Sequence, residues 1–394
     1  MNNHPFDQLN RKGWHKWSWS CYCYYVKIIQ IIARDNRGGT ARWLEQLVPG
    51  LREQGHEVIL LAGNVQEGEV EDPSFGALGG IRIQGLGRSL SIFGDLIAFW
   101  KIRNFIRKCK PDLINTHTAK AGALGRLATA SLFGNRPTVV HTYHGHLLYG
   151  YFSGWKTKAV IRIERLLSRF TDFYIAAGET VKNDLLSVGI GTKDSYQIVR
   201  PGVPRFDPVN KELARNDFGL RNEKIVVGWL GRLTQIKRPD RVMDMARQFP
   251  DVDFLIGGEG ELRVHLELLA PTNVRFLGWT VPKDIWSASD IALLTSDNEA
   301  QPISLIEASY ASLPIVAQNV GSVAEVVVDK ETGFLVSNLD EMANSLRALI
   351  INPELRLDFG DRANLFAQSR FSTQQFIADH LAAYRRADLL SGKG

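Results

Sequence analysis

Two glutamates stand eight residues apart in the run E-A-Q-P-I-S-L-I-E, from Glu299 to Glu307. A carboxylate ahead of a helix and another within it can hold separate hydroxyl groups of one polar ligand. Pro302 suits the first helical position, where its missing amide would have no partner anyway. The following amides, of Ile303 and Ser304, are then free to face an anion, with Gln301 beside them. Glu307 falls among Ile306, Ala308 and Ala311, a setting too apolar for a solvent-facing charge.

Upstream, Gly231-Arg232 and Lys237 offer a planar cationic fork and a point charge, a pair suited to a diphosphate. Taken alone, one such pair fits a solvated helix start as well. Gly38-Gly39 lies between an apolar run and a helical stretch, where glycine lets a backbone come close to a phosphate. No G-x-G-x-x-G accompanies it. His141, His144 and His146 cluster after another apolar run. Their spacing could suit a metal, but no Asp, Glu or Cys lies near, so no metal is expected. His144 is the better placed to meet a leaving phosphate or an acceptor hydroxyl. His141 and His146 read as hydrogen-bonded loop residues.

These residues need elements to hold them. Short apolar runs at 26–33, 57–62, 112–117, 137–142 and 172–176 alternate with helical stretches. This is the rhythm of a parallel sheet covered by helices on both faces. Residues 200–208 (RPGVPRFDP) hold three prolines and read as a linker. A second series follows at 224–230, 253–257, 274–277, 290–295 and 314–318. The expectation is two doubly wound α/β domains, 26–205 and 206–371, with ligands at the carboxyl ends of the strands. Residues 372–394 carry a last helix with Ser372 as N-cap, and Phe376, His380, Leu381 and Tyr384 on one face. That helix is expected to return to the first domain. Within the first helix, Pro49-Gly50 should kink or break it.

Composition narrows the classes. The chain has 394 residues, 44% apolar and 23% charged, which excludes disorder, collagen and coiled coil. Residues 101–200 carry 16 Lys/Arg against 6 Asp/Glu, so the first half is the one that could face an anionic partner. Within it Lys158, Arg162, Arg165 and Arg169 form a basic stripe opposite Val160, Ile163, Leu167 and Phe170. The stripe could rest on anionic lipid, or be a solvated face with its apolar side on the core. Three cysteines form no disulfide framework, which points to a reducing, cytoplasmic setting. No apolar run is long enough to cross a membrane. Residues 1–25, crowded with Trp and Tyr, have neither structural period. They read as an extension foreign to the fold, from a translation start placed too early or as an unstructured arm.

Together these motifs resemble the retaining glycosyltransferases of family 4, which have the GT-B fold of two Rossmann-like domains facing across a cleft. The resemblance spans nearly all of 26–390. Its most specific block runs from Ser296 to Val336, with an E-x7-E motif followed by ETGFLV. G-R-L-T-Q-I-K at 231–237 is similar to the family's G-R-x4-K, and T-Y-H-G at 142–145 to its T-x-H-G. The resemblance implies that Arg232 and Lys237 neutralise the donor diphosphate, with Gly38 and Gly39 adding backbone contacts. It implies that Glu307 holds the ribose and Glu299 the transferred sugar near its 3- and 4-hydroxyls. The Gln301–Ser304 backbone would lie beside that sugar, and His144 near the anomeric carbon. No metal or other cofactor is needed on this reading. Three positions depart from the family pattern and bear on donor identity: Ala300 and Ser312, where glycine is common, and Val320-Gly321-Ser322 in place of a Gly-Gly pair.

The implied activity is transfer of a hexose or N-acetylhexosamine from a nucleotide sugar, a UDP-sugar foremost, to a glycan. The acceptor would be lipid-linked, at the inner face of a membrane, in polysaccharide or lipopolysaccharide synthesis. A sugar-nucleotide epimerase of the same fold is the alternative enzyme, against which the paired G-R-x4-K and E-x7-E argue. A catalytically dead partner subunit would need a lost Glu, Arg or Lys, and none is lost. Nucleic-acid binding is disfavoured, because the basic stripe is not interleaved with aromatic residues.

Overall fold

The computed structural model describes residues 25–36, 38–66, 71–87, 89, 91–145 and 155–392. Residues 1–24 of the N-terminal extension and His146 lie outside these. Seven strands form a first sheet: β1 (Lys27–Ile32), β2 (Glu57–Ala62), β3 (Ile81–Arg82), β4 (Leu113–His117), β5 (Thr138–Tyr143), β6 (Phe173–Ala176) and β7 (Tyr196–Ile198). Their order is β3-β2-β1-β4-β5-β6-β7, and every pairing is parallel. Six more form a second parallel sheet: β8 (Val226–Leu230), β9 (Asp253–Gly257), β10 (Val274–Gly278), β11 (Ile291–Leu294), β12 (Ile315–Gln318) and β13 (Gly333–Val336). Its order is β10-β9-β8-β11-β12-β13. Helices cover both faces of such sheets, so the inner strands are nearly continuous apolar runs. In β1, K-I-I-Q-I-I, every residue after Lys27 is buried. The edge strands β3 and β7 have only two and three residues and no comparable run.

Strand order reverses between β1 and β4 in one sheet and between β8 and β11 in the other. Those switch points leave a crevice beyond the strands' carboxyl ends. The two crevices face each other across one cleft of about 1320 Å³.

The first helix, Gly39–Glu53, runs unbroken through Pro49, contrary to the sequence expectation. Its Leu44, Leu47, Val48 and Leu51 are fully buried. At about 1.5–3 kcal/mol each, their burial outweighs the roughly 3 kcal/mol that an interior proline costs. Gly50 serves a second purpose: a Cβ there would sit 2.4 Å from Ile377 Cδ1. Its absence lets the C-terminal helix, Thr373–Leu390, lie directly against the first helix. Ser372 caps that last helix, its Oγ accepting from the Gln375 amide at 3.2 Å. Phe376, His380 and Tyr384 are buried against the first domain.

The helix Trp155–Leu167 turns differently from the sequence reading. Ile163, expected on the buried face, is 54% exposed, while Glu164 is buried. Arg126, itself fully buried, donates from Nη2 to both Glu164 oxygens at 3.0 and 2.8 Å, and the Tyr143 hydroxyl adds a third bond at 2.7 Å. A buried guanidinium needs a carboxylate, and that need sets the helix rotation. Lys158, Arg162, Arg165 and Arg169 are all exposed, with Arg165 Nε donating to the Val188 carbonyl at 2.6 Å.

Candidate active site

The residues assigned to the donor and to catalysis from the sequence meet in one cleft, and His141 lines it as well. Gly38, Gly39 and His144 line it from the first domain. Gly231, Arg232, Lys237, Glu299, Gln301, Pro302, Ile303, Ser304 and Glu307 line it from the second.

One helix from each domain brings an N-terminus without a capping side chain to the cleft, in addition to the Ala119–Ala130 helix. Gly38 caps Gly39–Glu53 and Pro302 caps Ile303–Tyr310; neither provides a capping side chain, and neither helix has an acid in its first turn. Pro302 is thus the cap rather than the first helical residue, and the first intrahelical bond donor is the Leu305 amide. The amides of Ile303 and Ser304 are left for a ligand. Uncapped N-termini carry partial positive charge and unpaired donors, which is what a phosphate needs. The two ends approach closely: a Cβ on Gly39 would lie 3.8 Å from Ile303 Cδ1.

Lys237 is placed by stitching between two loops. Thr295 Oγ1 donates to the Lys237 carbonyl at 2.9 Å while accepting from Trp229 Nε1 at 3.0 Å. The Asp297 amide donates to the Ile236 carbonyl at 2.9 Å, and Asp297 pairs with Arg241 at 2.7 Å. So held, Lys237 Nζ lies 2.5 Å from Glu299 Oε1, which also accepts from Ser296 Oγ at 2.6 Å. Arg232 lies exposed at the cleft rim.

Glu307 is 6% exposed. Burial pushes its carboxyl up to about 7, partly offset by the positive charge of Arg42 in the first domain. His144 stacks against His117, with His117 Nδ1 and His144 Nε2 2.8 Å apart, and its ring meets Trp43 edge-on at 4.8 Å between centroids. Burial, with His380 nearby, pushes His144 down to about 3, so the imidazole is neutral at physiological pH. His141, buried in the cleft wall, has Nδ1 2.8 Å from Thr116 Oγ1. Among the described residues, no group of three or more His, Cys, Asp or Glu could hold a metal ion.

This geometry meets a specific sequence likeness. Residues 37–204 match the Glycosyltransferase Family 4 model, and residues 210–366 match the Glycosyl transferases group 1 model. The chain belongs to this glycosyltransferase family.

Among its relatives is the UDP-Gal:alpha-D-GlcNAc-diphosphoundecaprenol alpha-1,3-galactosyltransferase of Escherichia coli, 30% identical over 66% of this chain and 72% of that one. Another is the capsular polysaccharide biosynthesis glycosyltransferase CapM of Staphylococcus aureus, 23% identical over 73% of this chain and 80% of that one. Anabaena HepE, solved with UDP and glucose, superposes with a TM-score of 0.76 at 20% identity, covering 91% of this chain and 99% of that one. The fold is GT-B, and the protein is an enzyme of the transferase class.

Within this glycosyltransferase the family departures have structural readings. Ser312 adopts φ of 55°, the left-handed region that glycine fills more readily. Gly321 has φ of 55°, and a Cβ there would lie 1.9 Å from the Glu299 carbonyl oxygen. The Ser322 amide donates to that same oxygen at 3.1 Å, so one glycine suffices to hold the Glu299 loop. Ala300 meets the T-Y-H-G loop, its Cβ 3.3 Å from where Gly145 would carry one.

Sequence reading missed several residues that the glycosyltransferase fold brings to the site. His117 ends β4, and its Nε2 is 2.8 Å from Gln30 Oε1 of β1. Gln30 Nε2 and Asn115 Nδ2 both donate to the Tyr384 hydroxyl at 3.0 Å. Polar residues inside apolar strands were the one available signal: a Gln in K-I-I-Q-I-I and an Asn and His in L-I-N-T-H. Arg42, Glu45 and Asp72 also line the cleft.

Proposed function

We propose that this glycosyltransferase moves a hexose or N-acetylhexosamine from a UDP-sugar to a lipid-linked glycan, with retention, in cell-surface polysaccharide or lipopolysaccharide synthesis. The observation that carries the donor half is the convergence on one cleft of two uncapped helix N-termini, Arg232, Lys237 and the Glu299/Glu307 pair. In this reading Arg232 and Lys237 neutralise the diphosphate as the glycosidic bond breaks, which is transition-state stabilisation of the kind usually worth most. The amides of Ile303 and Ser304, with those after Gly38, share the same anion. Glu307 accepts from the ribose hydroxyls, and Glu299 from the sugar. Neutral His144 stands by the anomeric carbon, and the donor phosphate takes the acceptor's proton as attack comes from the same face. The cations do the work that a metal does elsewhere.

The relative that transfers from UDP-Gal to a diphosphoundecaprenol-linked sugar, and the neighbour solved with UDP and glucose, support the base and the lipid-linked acceptor. Peripheral attachment at the inner membrane face fits the exposed cations Lys158, Arg162, Arg165 and Arg169. It also fits the helix Ile92–Cys109, whose Ile92, Phe93, Leu96 and Trp100 are more than half exposed. Among the described residues, no helix is long and apolar enough to cross a membrane.

A thermal-shift screen of UDP-, GDP-, ADP- and dTDP-sugars tests the donor. UDP-sugars should raise the midpoint of the wild type and not of the Arg232→Ala/Lys237→Ala variant. A response to another base alone, or an undiminished response in the variant, would refute the assignment. Flotation with vesicles containing anionic lipid at low salt tests attachment, and a protein left wholly in the unbound fraction would remove that part.

A further inference from the structure

The helix Glu179–Ser187, which follows β6 in the first domain, begins at Gly178 and has no capping side chain of its own. Its cap comes from the other domain. Glu325, in the short turn Val323–Glu325 after β12, accepts from the Glu179 amide with Oε2 at 3.1 Å. Its Oε1 accepts from the Thr180 amide and the Thr180 hydroxyl, each at 3.1 Å. A fourth bond returns to the cleft: Gln301 Nε2 donates to Glu325 Oε2 at 3.1 Å. Gly178 makes room for the arrangement. A Cβ there would sit 2.7 and 2.8 Å from the Glu325 oxygens and 2.9 Å from Gln301 Nε2. The φ of Gly178 is −161°, so space and not backbone freedom calls for glycine.

Gln301 is 8% exposed, and its Oε1 is buried without a hydrogen-bond partner. A carboxylate only accepts, so Glu325 can be met only by the NH2 end of the Gln301 amide. The carbonyl end must then point the other way. A buried carbonyl oxygen left open on a residue that lines the cleft calls for a hydroxyl donor.

We propose that Glu325 is a positioning residue that closes the two domains on the Glu179–Ser187 helix and, in the same act, turns the Gln301 carbonyl toward a hydroxyl of the transferred sugar. This rests on the donor reading given above. With the domains apart, Glu325 loses its three partners on the helix, and Gln301 loses the group that holds its amide in one orientation. Recognition of the sugar, as distinct from the nucleotide, is thereby tied to closure.

The test titrates wild type, Glu325→Gln, Gln301→Ala and the double variant with UDP, and with whichever of UDP-glucose, UDP-galactose and UDP-N-acetylglucosamine the wild type binds. Hydrogen exchange of the segment holding Glu179 and Thr180 is followed in parallel. An amide at 325 offers one acceptor where the carboxylate offered two. Glu325→Gln should therefore weaken the UDP-sugar at least fivefold, leave UDP within twofold, and speed exchange at Glu179 and Thr180 at least fivefold. The double variant should discriminate no worse than Gln301→Ala alone, because both act at one point. Gly178→Ala should reproduce the Glu325→Gln result with the carboxylate intact.

Equal losses for UDP and UDP-sugar, or independent additive losses for the two substitutions, would overturn the sugar part. Unchanged exchange in Glu325→Gln would overturn the closure part. A wild type that binds none of the UDP-sugars refutes the donor assignment and the sugar part together, and the exchange measurement still decides the closure part.

Discussion

Lys237 and Glu299 form an ion pair on the wall of the cleft, Nζ to Oε1 at 2.5 Å. The cation proposed for the diphosphate is thus held by the carboxylate proposed for the sugar. The donor would enter between them, so the two residues should behave as one unit. Lys237→Ala and Glu299→Gln should each lower kcat/KM about 100- to 1,000-fold, the scale of losing one transition-state contact. The double variant should fall well short of the product of the two. Steady-state kinetics checks this, and losses that simply multiply would show that the pairing is incidental.

Glu307 makes stability and donor binding depend on pH. Its carboxyl is raised from 4.5 to about 7 in the fold, chiefly by burial. The folded state therefore holds a proton that the unfolded state has released. Its contribution is fully present below about pH 4.5 and is lost as pH rises to about 7, on the order of 3 kcal/mol. Asp35, buried with both oxygens unpartnered and raised from 3.8 to about 7, acts in the same sense between those two values. Urea unfolding from pH 4.5 to 8 should show a falling stability that Glu307→Gln and Asp35→Asn each flatten in part.

Ribose hydroxyls would favour the ionised form of Glu307, so UDP binding at pH 7 should expel about half a proton. Calorimetry in buffers of different ionisation enthalpy measures this directly. Glu307→Gln should abolish the release. Release that persists in that variant would assign the proton to another group.

The Arg126–Glu164 pair is buried on both sides, with side-chain exposures of 0% and 4%. Removing one partner strands the other. Arg126→Met should cost about 3–5 kcal/mol. The Arg126→Met/Glu164→Gln double variant should recover part of that loss. Chemical denaturation of the three proteins reads the difference, and an Arg126→Met protein as stable as wild type would contradict the buried-charge account.

Tyr384 joins the C-terminal helix to the site. Its hydroxyl receives amide protons from Gln30 and Asn115, and Gln30 in turn meets His117, which meets His144. Tyr384→Phe leaves two buried amide donors without an acceptor and should cost about 1–3 kcal/mol. It should also lower kcat more than it raises the donor KM, because His144 loses its fixed orientation while Arg232 and Lys237 stay in place. An unchanged kcat at full occupancy would confine Tyr384 to a structural role.

The sequence carried much of this site because its chemistry is local. Gly231 to Lys237 and Glu299 to Glu307 are contiguous segments, and each follows a strand whose carboxyl end must face the crevice. Where sequence reading went astray, a distant partner had decided the matter. Pro49 stays helical because four buried side chains and the C-terminal helix hold its segment. Glu164, on a helix whose pattern put Ile163 inside, is drawn in by Arg126, 38 residues away.

The alternation of apolar runs and helical stretches determined two parallel sheets, since strands covered on both faces must be apolar throughout. Motif spacing determined which loops carry the cations and carboxylates. Only the tertiary structure decided which polar groups meet. Gln30 and Tyr384 are 354 residues apart, and Glu325 and Thr180 are 145. No local period encodes such pairs. They exist because a polar atom removed from water must find a partner wherever the folded chain provides one.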